Sequence, residues 1–204
     1  MTISYAIPVC NESTELDRLI DFLNSSIRNE DEIVILCDKG NTTQEVKDII
    51  SKHKLTNVYY NSLNKDFAQQ KNYLTKMCKG NWIFLIDADE IPNKYLIETL
   101  PIILESNSEV EAYWVPRINT VNGLTPQHIQ KWGWRVDEKG WINFPDWQMR
   151  IYKNDSSIHW TKPVHEQLVG YKKYAQLPTE ENFCLYHPKE IDRQERQNSL
   201  YETI

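Results

Sequence analysis

With 204 residues, 40% of them hydrophobic and 25% charged, the chain is long enough for one domain with a buried core and shows no disordered or fibrous bias. A formal net charge of −6 argues against a nucleic-acid partner, which needs a basic patch or stripe. Four cysteines (Cys10, Cys37, Cys78 and Cys184) lie far apart without a CxxC pair. This argues against a disulfide framework or a zinc cluster and points to reduced thiols, with Cys37 and Cys78 in the core.

From the amino terminus, MTISYAIPVCNE lacks the basic and long apolar regions of a secretion signal. Residues 3–9 form a short β-rich run ending at Pro8, and residues 12–27 place Leu16, Leu19, Ile20 and Leu23 at helical spacing. Residues 33–37 (IVILC) are a fully apolar strand, 42–53 a helix with Val46, Ile49 and Ile50 on one face, and 58–60 a third strand. Asp66 suits the N-cap of a helix carrying Phe67, Leu74 and Met77, with Gly80 as its stop. Residues 82–86 (WIFLI) form a fourth strand, and Pro92 suits the start of a helix through Leu96, Leu100 and Ile103. The two apolar runs are five residues each, against the roughly 20 of a membrane span, so the expectation is a cytoplasmic protein with at most peripheral membrane contact.

Continuously apolar strands separated by helices indicate an α/β fold with a mostly parallel sheet covered on both faces. Beyond residue 108 the texture changes. A strand is expected over residues 111–119, then a polar Trp-bearing stretch without period over 120–145. Strands follow over 148–152 and around 158–160, then a hairpin through 164–169 and a polar, helix-compatible tail over 189–204. The organisation is one domain, with a nucleotide-binding-like half at 1–107 and a more irregular half at 108–204 that completes the site.

In such sheets ligands bind beyond the carboxyl ends of the strands. Asp87-Ala88-Asp89-Glu90 directly follows WIFLI. Two carboxylates at i and i+2 at a strand end can both turn toward one point and hold Mg²⁺ or Mn²⁺, which takes oxygen ligands and shares them with phosphates. A solvated acidic turn is the competing reading. Walker and GxGxxG patterns are absent, so a nucleotide would rely on strand-end carboxylates and a metal. Asp38 ends the second strand, either as a nucleobase or ribose acceptor or as a turn aspartate before Lys39-Gly40. Lys71 either reaches a diphosphate or snorkels along its helix.

In the second half, alternation after Pro145 sends Asp146, Gln148 and Arg150 to one strand face. They read as a polar cleft with a general base and with acceptor or phosphate contacts, or as a solvated face. Trp132, Trp134, Trp141, Trp147 and Trp160 are close in sequence and suit either sugar stacking or core packing.

The order of these motifs resembles the family-2 glycosyltransferases of the GT-A fold, in particular short bacterial enzymes that decorate lipopolysaccharide cores. The resemblance spans residues 3–187. It is most specific in Asp66-Phe67-Ala68-Gln69-Gln70-Lys71-Asn72-Tyr73-Leu74 and in residues 80–90, ending at Asp87-Ala88-Asp89-Glu90. Pro8-Val9-Cys10-Asn11-Glu12 is similar to the family's opening turn, and residues 145–150 and Val164-His165-Glu166 to its later motifs. The chain departs from the family at Cys37-Asp38-Lys39-Gly40, where only one carboxylate stands, and at the base motif, which is Pro-Asp in place of Glu-Asp.

The resemblance implies roles by position. Pro8, Val9, Glu12 and Asp38 line a nucleoside pocket, Lys71 approaches the base or diphosphate, and Asp87, Ala88 and Asp89 hold the ribose and the metal. Asp146 is the implied base, with Trp147, Gln148, Arg150 and Glu166 as acceptor contacts. His165 is the implied carboxy-terminal metal residue, with His187 as second choice. The implied activity is inverting transfer of a hexose from a nucleotide sugar, a UDP-sugar by analogy, to a glycan or glycolipid hydroxyl with Mn²⁺ or Mg²⁺. A catalytically silent sugar- or nucleotide-binding module is the alternative. A nucleotidyltransferase or phosphatase fits less well, because its glycine-rich or DxDxT signatures are missing.

Overall fold

The computed structural model of the chain describes residues 1–195. In chain order the elements are β1 (Ile3–Val9), α1 (Ser13–Ser26), β2 (Glu32–Asp38), α2 (Gln44–Lys52), β3 (Val58–Asn61), α3 (Phe67–Met77), β4 (Trp82–Leu85), β5 (Ile91–Pro92) and α4 (Lys94–Ser106). Then come β6 (Ala112–Asn122), α5 (Pro126–Trp132), β7 (Ile142–Lys153), β8 (His159–Thr161), β9 (Gln167–Val169), β10 (Tyr174–Gln176) and β11 (Leu185–Glu190).

Among the described residues one nine-stranded sheet runs β3-β2-β1-β4-β7-β6-β11-β5, with β10 added on β6, and β8 and β9 form a separate hairpin. The sheet is mixed and mostly parallel: β7 lies antiparallel to both β4 and β6, and β5 antiparallel to β11. Chain order runs outward from β1 through β2 to β3 and then returns to β4 on the other side of β1. That reversal opens a crevice at the carboxyl ends of β1 and β4, where open α/β sheets bind ligands.

Alternation along the strands divides the core. Tyr5, Ile7, Phe84 and Ile151 pack with Leu16, Leu19, Leu96 and Leu100 on one face, while Ala6, Leu36, Leu85 and Tyr152 pack with Leu74 on the other. Helix starts follow their caps. Thr43 accepts from Val46 N–H, and Asp66 accepts from Gln69 N–H at 2.8 Å. On the far face, Asn72 grips the backbone of Trp160 through both amide atoms (2.8 and 2.7 Å), docking β8 on α3.

Three sequence expectations are corrected. Pro92 pairs with Leu185 in β5 rather than opening α4, because Asn93 caps that helix by accepting from Tyr95 N–H. Residues 120–145 are not irregular throughout. β6 continues to Asn122, and α5 follows between a Thr125–His128 capping box and Gly133 at φ 64°. The expected helix over residues 189–204 begins only after β11 ends at Glu190, with residues 191–195 helical. Its remainder, residues 196–204, lies outside the described residues.

Gly80 is required for a reason other than capping. α3 ends at Cys78 in an extended conformation, and a Cβ on Gly80 would lie 2.6 Å from Ser4 N and 2.8 Å from Ile3 C. Gly80 therefore lets the turn into β4 press against β1, with its N–H donated to the buried Ser4 Oγ at 2.8 Å. Gly80→Ala is expected to lower the unfolding free energy by about 1–3 kcal/mol, measured by urea denaturation. A midpoint equal to that of the parent chain would show that the turn yields freely.

Candidate active site

At the end of β4 the chain stays on β1 for one more residue, with Ile86 N–H donated to Ala6 O at 3.0 Å. It then turns so that Glu90 N–H reaches Asp87 O at 2.9 Å. Ala88 points into the core at 3% exposure, which leaves Asp87 and Asp89 on the cleft side. The i, i+2 spacing thus reflects one buried residue between two partly exposed ones.

The fully buried Glu90 organises what lies behind this turn. Its Oε1 accepts from Arg117 Nη1 at 2.8 Å and Arg150 Nη2 at 2.6 Å, and its Oε2 from Asp87 N–H at 3.2 Å. Arg150 also donates to Asp87. Burial opposes the charge on Arg150, but Asp87 and Glu90 outweigh it and raise its pKa. Arg117 continues to Asp146 Oδ2 through Nε (2.8 Å) and Nη2 (2.6 Å). Asn119 joins the same oxygen at 2.8 Å, and Gln148 donates to Oδ1 at 2.7 Å. The β6–β7 register shifts between Arg117 and Asn119, and this irregularity aims both side chains at one carboxylate. Burial pushes the Asp146 carboxyl up, but Arg117, Asn119 and Gln148 together hold it below its ordinary value.

β11 brings in His187, opposite Asn119. Its Nδ1 lies 2.7 Å from Asn119 Oδ1, an acceptor, so Nδ1 carries the proton, and Nε2 faces Asp89 Oδ2 at 3.3 Å. In the neutral ring two lone pairs would then confront each other, an arrangement that a cation between them relieves. A histidine whose other ring nitrogen is fixed by hydrogen bonding is also the usual form of a metal ligand. Asp89 and His187 therefore fit Mg²⁺ or Mn²⁺, which takes few protein ligands and completes its shell with phosphate and water. Burial raises the Asp89 pKa, but His187, Arg193 and Lys189 together outweigh it and hold it below the ordinary carboxylate value.

The structure separates several residues that the sequence grouped. Asp87 and Asp89 do not converge: Asp87 turns to Arg150 and Asp89 to His187, because buried Arg150 demands a second counter-charge. Arg150 is 3% exposed, with Nη2 held by Asp87 and Glu90, and it borders the cavity of about 570 Å³ that Gln148 and Glu166 also line. No hydrogen bond or ion pair among the described residues joins His165 to either aspartate; it is exposed and lines a cavity of about 570 Å³ with Lys71, Gln148, Trp160 and Glu166. There Lys71 pairs with Glu166 and sits 4.6 Å over the Trp160 ring. Asp146, Trp147 and His187 instead share a separate cavity of about 400 Å³ with Arg117, Asn119 and Trp134.

At the donor end, Glu12 Oε2 accepts from Cys10 N–H (2.9 Å) and Asn11 N–H (3.0 Å), pinning the turn after β1. Pro8 is half-buried, while the Val9 side chain belongs to the core. Asp38 ties the end of β2 to Leu63 N–H (3.0 Å) and Asn41 (2.8 Å), beside a cavity lined by Lys39, Gly40, Thr42, Lys47 and Tyr60. Among the described residues Asp17, Asp21 and His53 also gather as possible ligands, but Lys52 Nζ covers both Asp17 oxygens at 2.7 and 2.8 Å. That group is an ion-pair cluster.

Arg117, Asn119 and Glu90 escaped the sequence reading. Their one signal was polarity inside otherwise apolar strand patterns, and in Glu90 the acid that follows Asp89.

The family model for glycosyl transferase family 2 matches residues 4–169. A curated relative, the lipopolysaccharide core biosynthesis glycosyltransferase LpsC of Rhizobium meliloti, is 33% identical over 69 residues, 33% of this chain and 26% of LpsC. Staphylococcus aureus TarS in complex with UDP-GlcNAc superposes with a TM-score of 0.64 at 16% identity, over 93% of this chain and 59% of that one. Glucosyl-3-phosphoglycerate synthase of Mycobacterium tuberculosis, in complex with Mg²⁺ and UDP, gives 0.55 at 13% identity over 92% and 70%. The structural likeness establishes the GT-A fold. The chain spans about a quarter of LpsC and about three fifths of the TarS chain.

Three outcomes follow from these ion pairs. Glu90→Ala leaves two arginines short of a counter-charge and is expected to cost about 3–5 kcal/mol in denaturant unfolding. Lys52→Ala, at the exposed pair with Asp17, is expected to leave the urea midpoint nearly unchanged. Asp87, Asp89 and Asp146 have folded-state pKa values below their unfolded ones, so their contribution is complete above the ordinary carboxylate range and lost as pH falls through the depressed values. The urea midpoint is expected to hold from pH 7 down to about 5 and to fall steeply below about 4; a flat profile to pH 3 would contradict the network.

Proposed function

Because the chain belongs to glycosyl transferase family 2, we propose that it moves a hexose from a UDP-sugar to a hydroxyl of a glycan or glycolipid, inverting the anomeric centre in one displacement with Mn²⁺ or Mg²⁺ bound. The observation that carries this is the Asp89–His187 pair, 3.3 Å apart and fixed through Asn119, which in turn holds Asp146. The UDP-GlcNAc in TarS and the Mg²⁺ and UDP in the mycobacterial synthase support the donor and the ion.

Residues 1–107 supply the donor half of the cleft: Glu12 and Pro8 on the β1 turn, Asp38 at the end of β2, and the 87–90 turn. Residues from 108 onward supply the acceptor half. Asp89 and His187 would hold the metal, which would supply positive charge against the departing diphosphate. His187, rather than His165, takes this role because β11 delivers it to Asp89. Asp87 remains with Arg150 and stiffens the turn, near enough to Lys71 that the ammonium helps lower its pKa.

Asp146 is the base. Oδ2 is saturated by Arg117 and Asn119, whereas Oδ1 carries one bond, from Gln148, and retains a lone pair toward the cavity shared with Trp147 and Trp134. The acceptor oxygen attacks the anomeric carbon, its proton passes to Oδ1, and the bond to the β-phosphate oxygen breaks. The depressed Asp146 pKa keeps it ionised at neutral pH, with Oδ1 the oxygen left to take the proton. Trp147, which lines the Asp146 cavity with Trp134, offers a flat surface for the acceptor ring, and Gln148, bonded to Asp146, and Glu166 offer polar contacts from the cavity of about 570 Å³. No helix of the described residues is long and apolar enough to cross a membrane. In this reading the protein is cytoplasmic and meets a glycolipid acceptor by peripheral contact with the inner face of a membrane.

Mn²⁺ with UDP is expected to raise the melting temperature by ligand linkage, and Asp89→Ala or His187→Ala to remove that gain. Asp146→Asn is expected to keep the gain but slow sugar transfer by roughly 10²-fold or more. Undiminished transfer by Asp146→Asn would exclude it as the base, and no transfer from any nucleotide sugar by the parent chain would indicate a silent binding module.

A further inference from the structure

Beyond β11 the chain crosses the cleft and places a cation of its own on the proposed metal site. Arg193 Nη2 lies 3.2 Å from Asp89 Oδ2, the same oxygen that faces His187 Nε2 at 3.3 Å. The guanidinium is shared with the donor side. Nη1 lies 2.6 Å from Glu15 Oε1 on α1, and Nη2 lies 3.6 Å from Glu12 Oε1, the carboxylate that pins the β1 turn. The segment is seated on both flanks. A Cβ on Gly123 would meet Ile191 Cγ2 at 3.0 Å, Gln194 lines the Asp146 cavity, and Glu195 Oε1 lies 3.4 Å from His128 Nε2 on α5.

We propose that Arg193 is an internal counter-cation of this site. Its guanidinium and a divalent ion compete for Asp89 Oδ2, and the guanidinium that the ion displaces pairs with the diphosphate of the donor. This rests on reading Asp89 and His187 as metal ligands. Two cations cannot crowd one carboxylate oxygen without repulsion, so the ion's arrival at Asp89 and His187 expels the guanidinium. Glu12 and Glu15 keep it tethered at the mouth of the crevice as it leaves. A planar fork of N–H donors held there matches phosphate oxygens better than a lone carboxylate. The same side chain thus neutralises the acidic cleft before the donor enters and adds positive charge on the leaving group afterwards.

The test is Mn²⁺ titrated alone into the full chain and into Arg193→Gln, followed by the electron paramagnetic resonance of free Mn²⁺, then UDP titrated at saturating Mn²⁺. Arg193→Gln is expected to bind Mn²⁺ roughly fivefold tighter or more and UDP roughly fivefold weaker or more, with Arg193→Lys between the two on both axes. A purely structural role for Arg193 would not move the two affinities in opposite directions. Unchanged or weaker Mn²⁺ binding by Arg193→Gln overturns the competition, and unchanged UDP binding overturns the transfer to the diphosphate, each while leaving the metal ligands in place. Failure of the parent chain and the variant alike to bind Mn²⁺ overturns the metal reading and this proposal with it.

Discussion

A carboxylate without solvent exposure, Glu90, sits between two guanidinium groups, and the geometry of the whole cleft follows from that burial. Charges withdrawn from water are tolerable only when paired and hydrogen-bonded, and the desolvation cost makes each member intolerant of losing its neighbour. Arg150 therefore claims Asp87 as well as Glu90, and Arg117 claims Asp146 as well as Glu90. The turn after β4 and the middle of β7 are thereby held by one polar lattice, though Glu90 and Asp146 lie 56 positions apart in the chain. Rigid placement of this kind is what a displacement reaction needs, since misalignment by an ångström is costly in rate.

The sheet topology makes the lattice possible. β7 enters antiparallel between β4 and β6, which puts Arg150 behind the acidic turn and Asp146 farther along the same strand. The shifted register on β6 then turns Arg117 and Asn119 toward one carboxylate, and β11, parallel to β6, sets His187 beside Asn119. Three strands and the turn after β4 thus contribute one side chain or more each to an arrangement that no single segment encodes.

Electrostatics divide the acids by role. Glu90 and Asp87 are bound to the arginines, Asp146 keeps one oxygen partly open, and Asp89 faces a histidine whose tautomer is set by its other neighbour. Only the last arrangement is improved by a cation between the partners. Arg193 already stands at that point.

The amino-acid sequence by itself determined the first half of the fold. Continuous apolar runs in β1, β2 and β4, helical spacing in α1 and α3, and side-chain caps at Thr43 and Asp66 are local signals, read within one turn or one strand. It also determined where acids stand relative to strand ends, because the buried residue between Asp87 and Asp89 follows from the apolar strand before them. Only the tertiary structure decided which partner each acid takes. Arg150 read as a residue of a polar cleft and became a buried counter-ion, and His187 rather than His165 came to face Asp89. Those choices are made by pairings across β4, β6, β7 and β11, between residues tens of positions apart. A charge reveals its counter-charge only when the chain has closed around both.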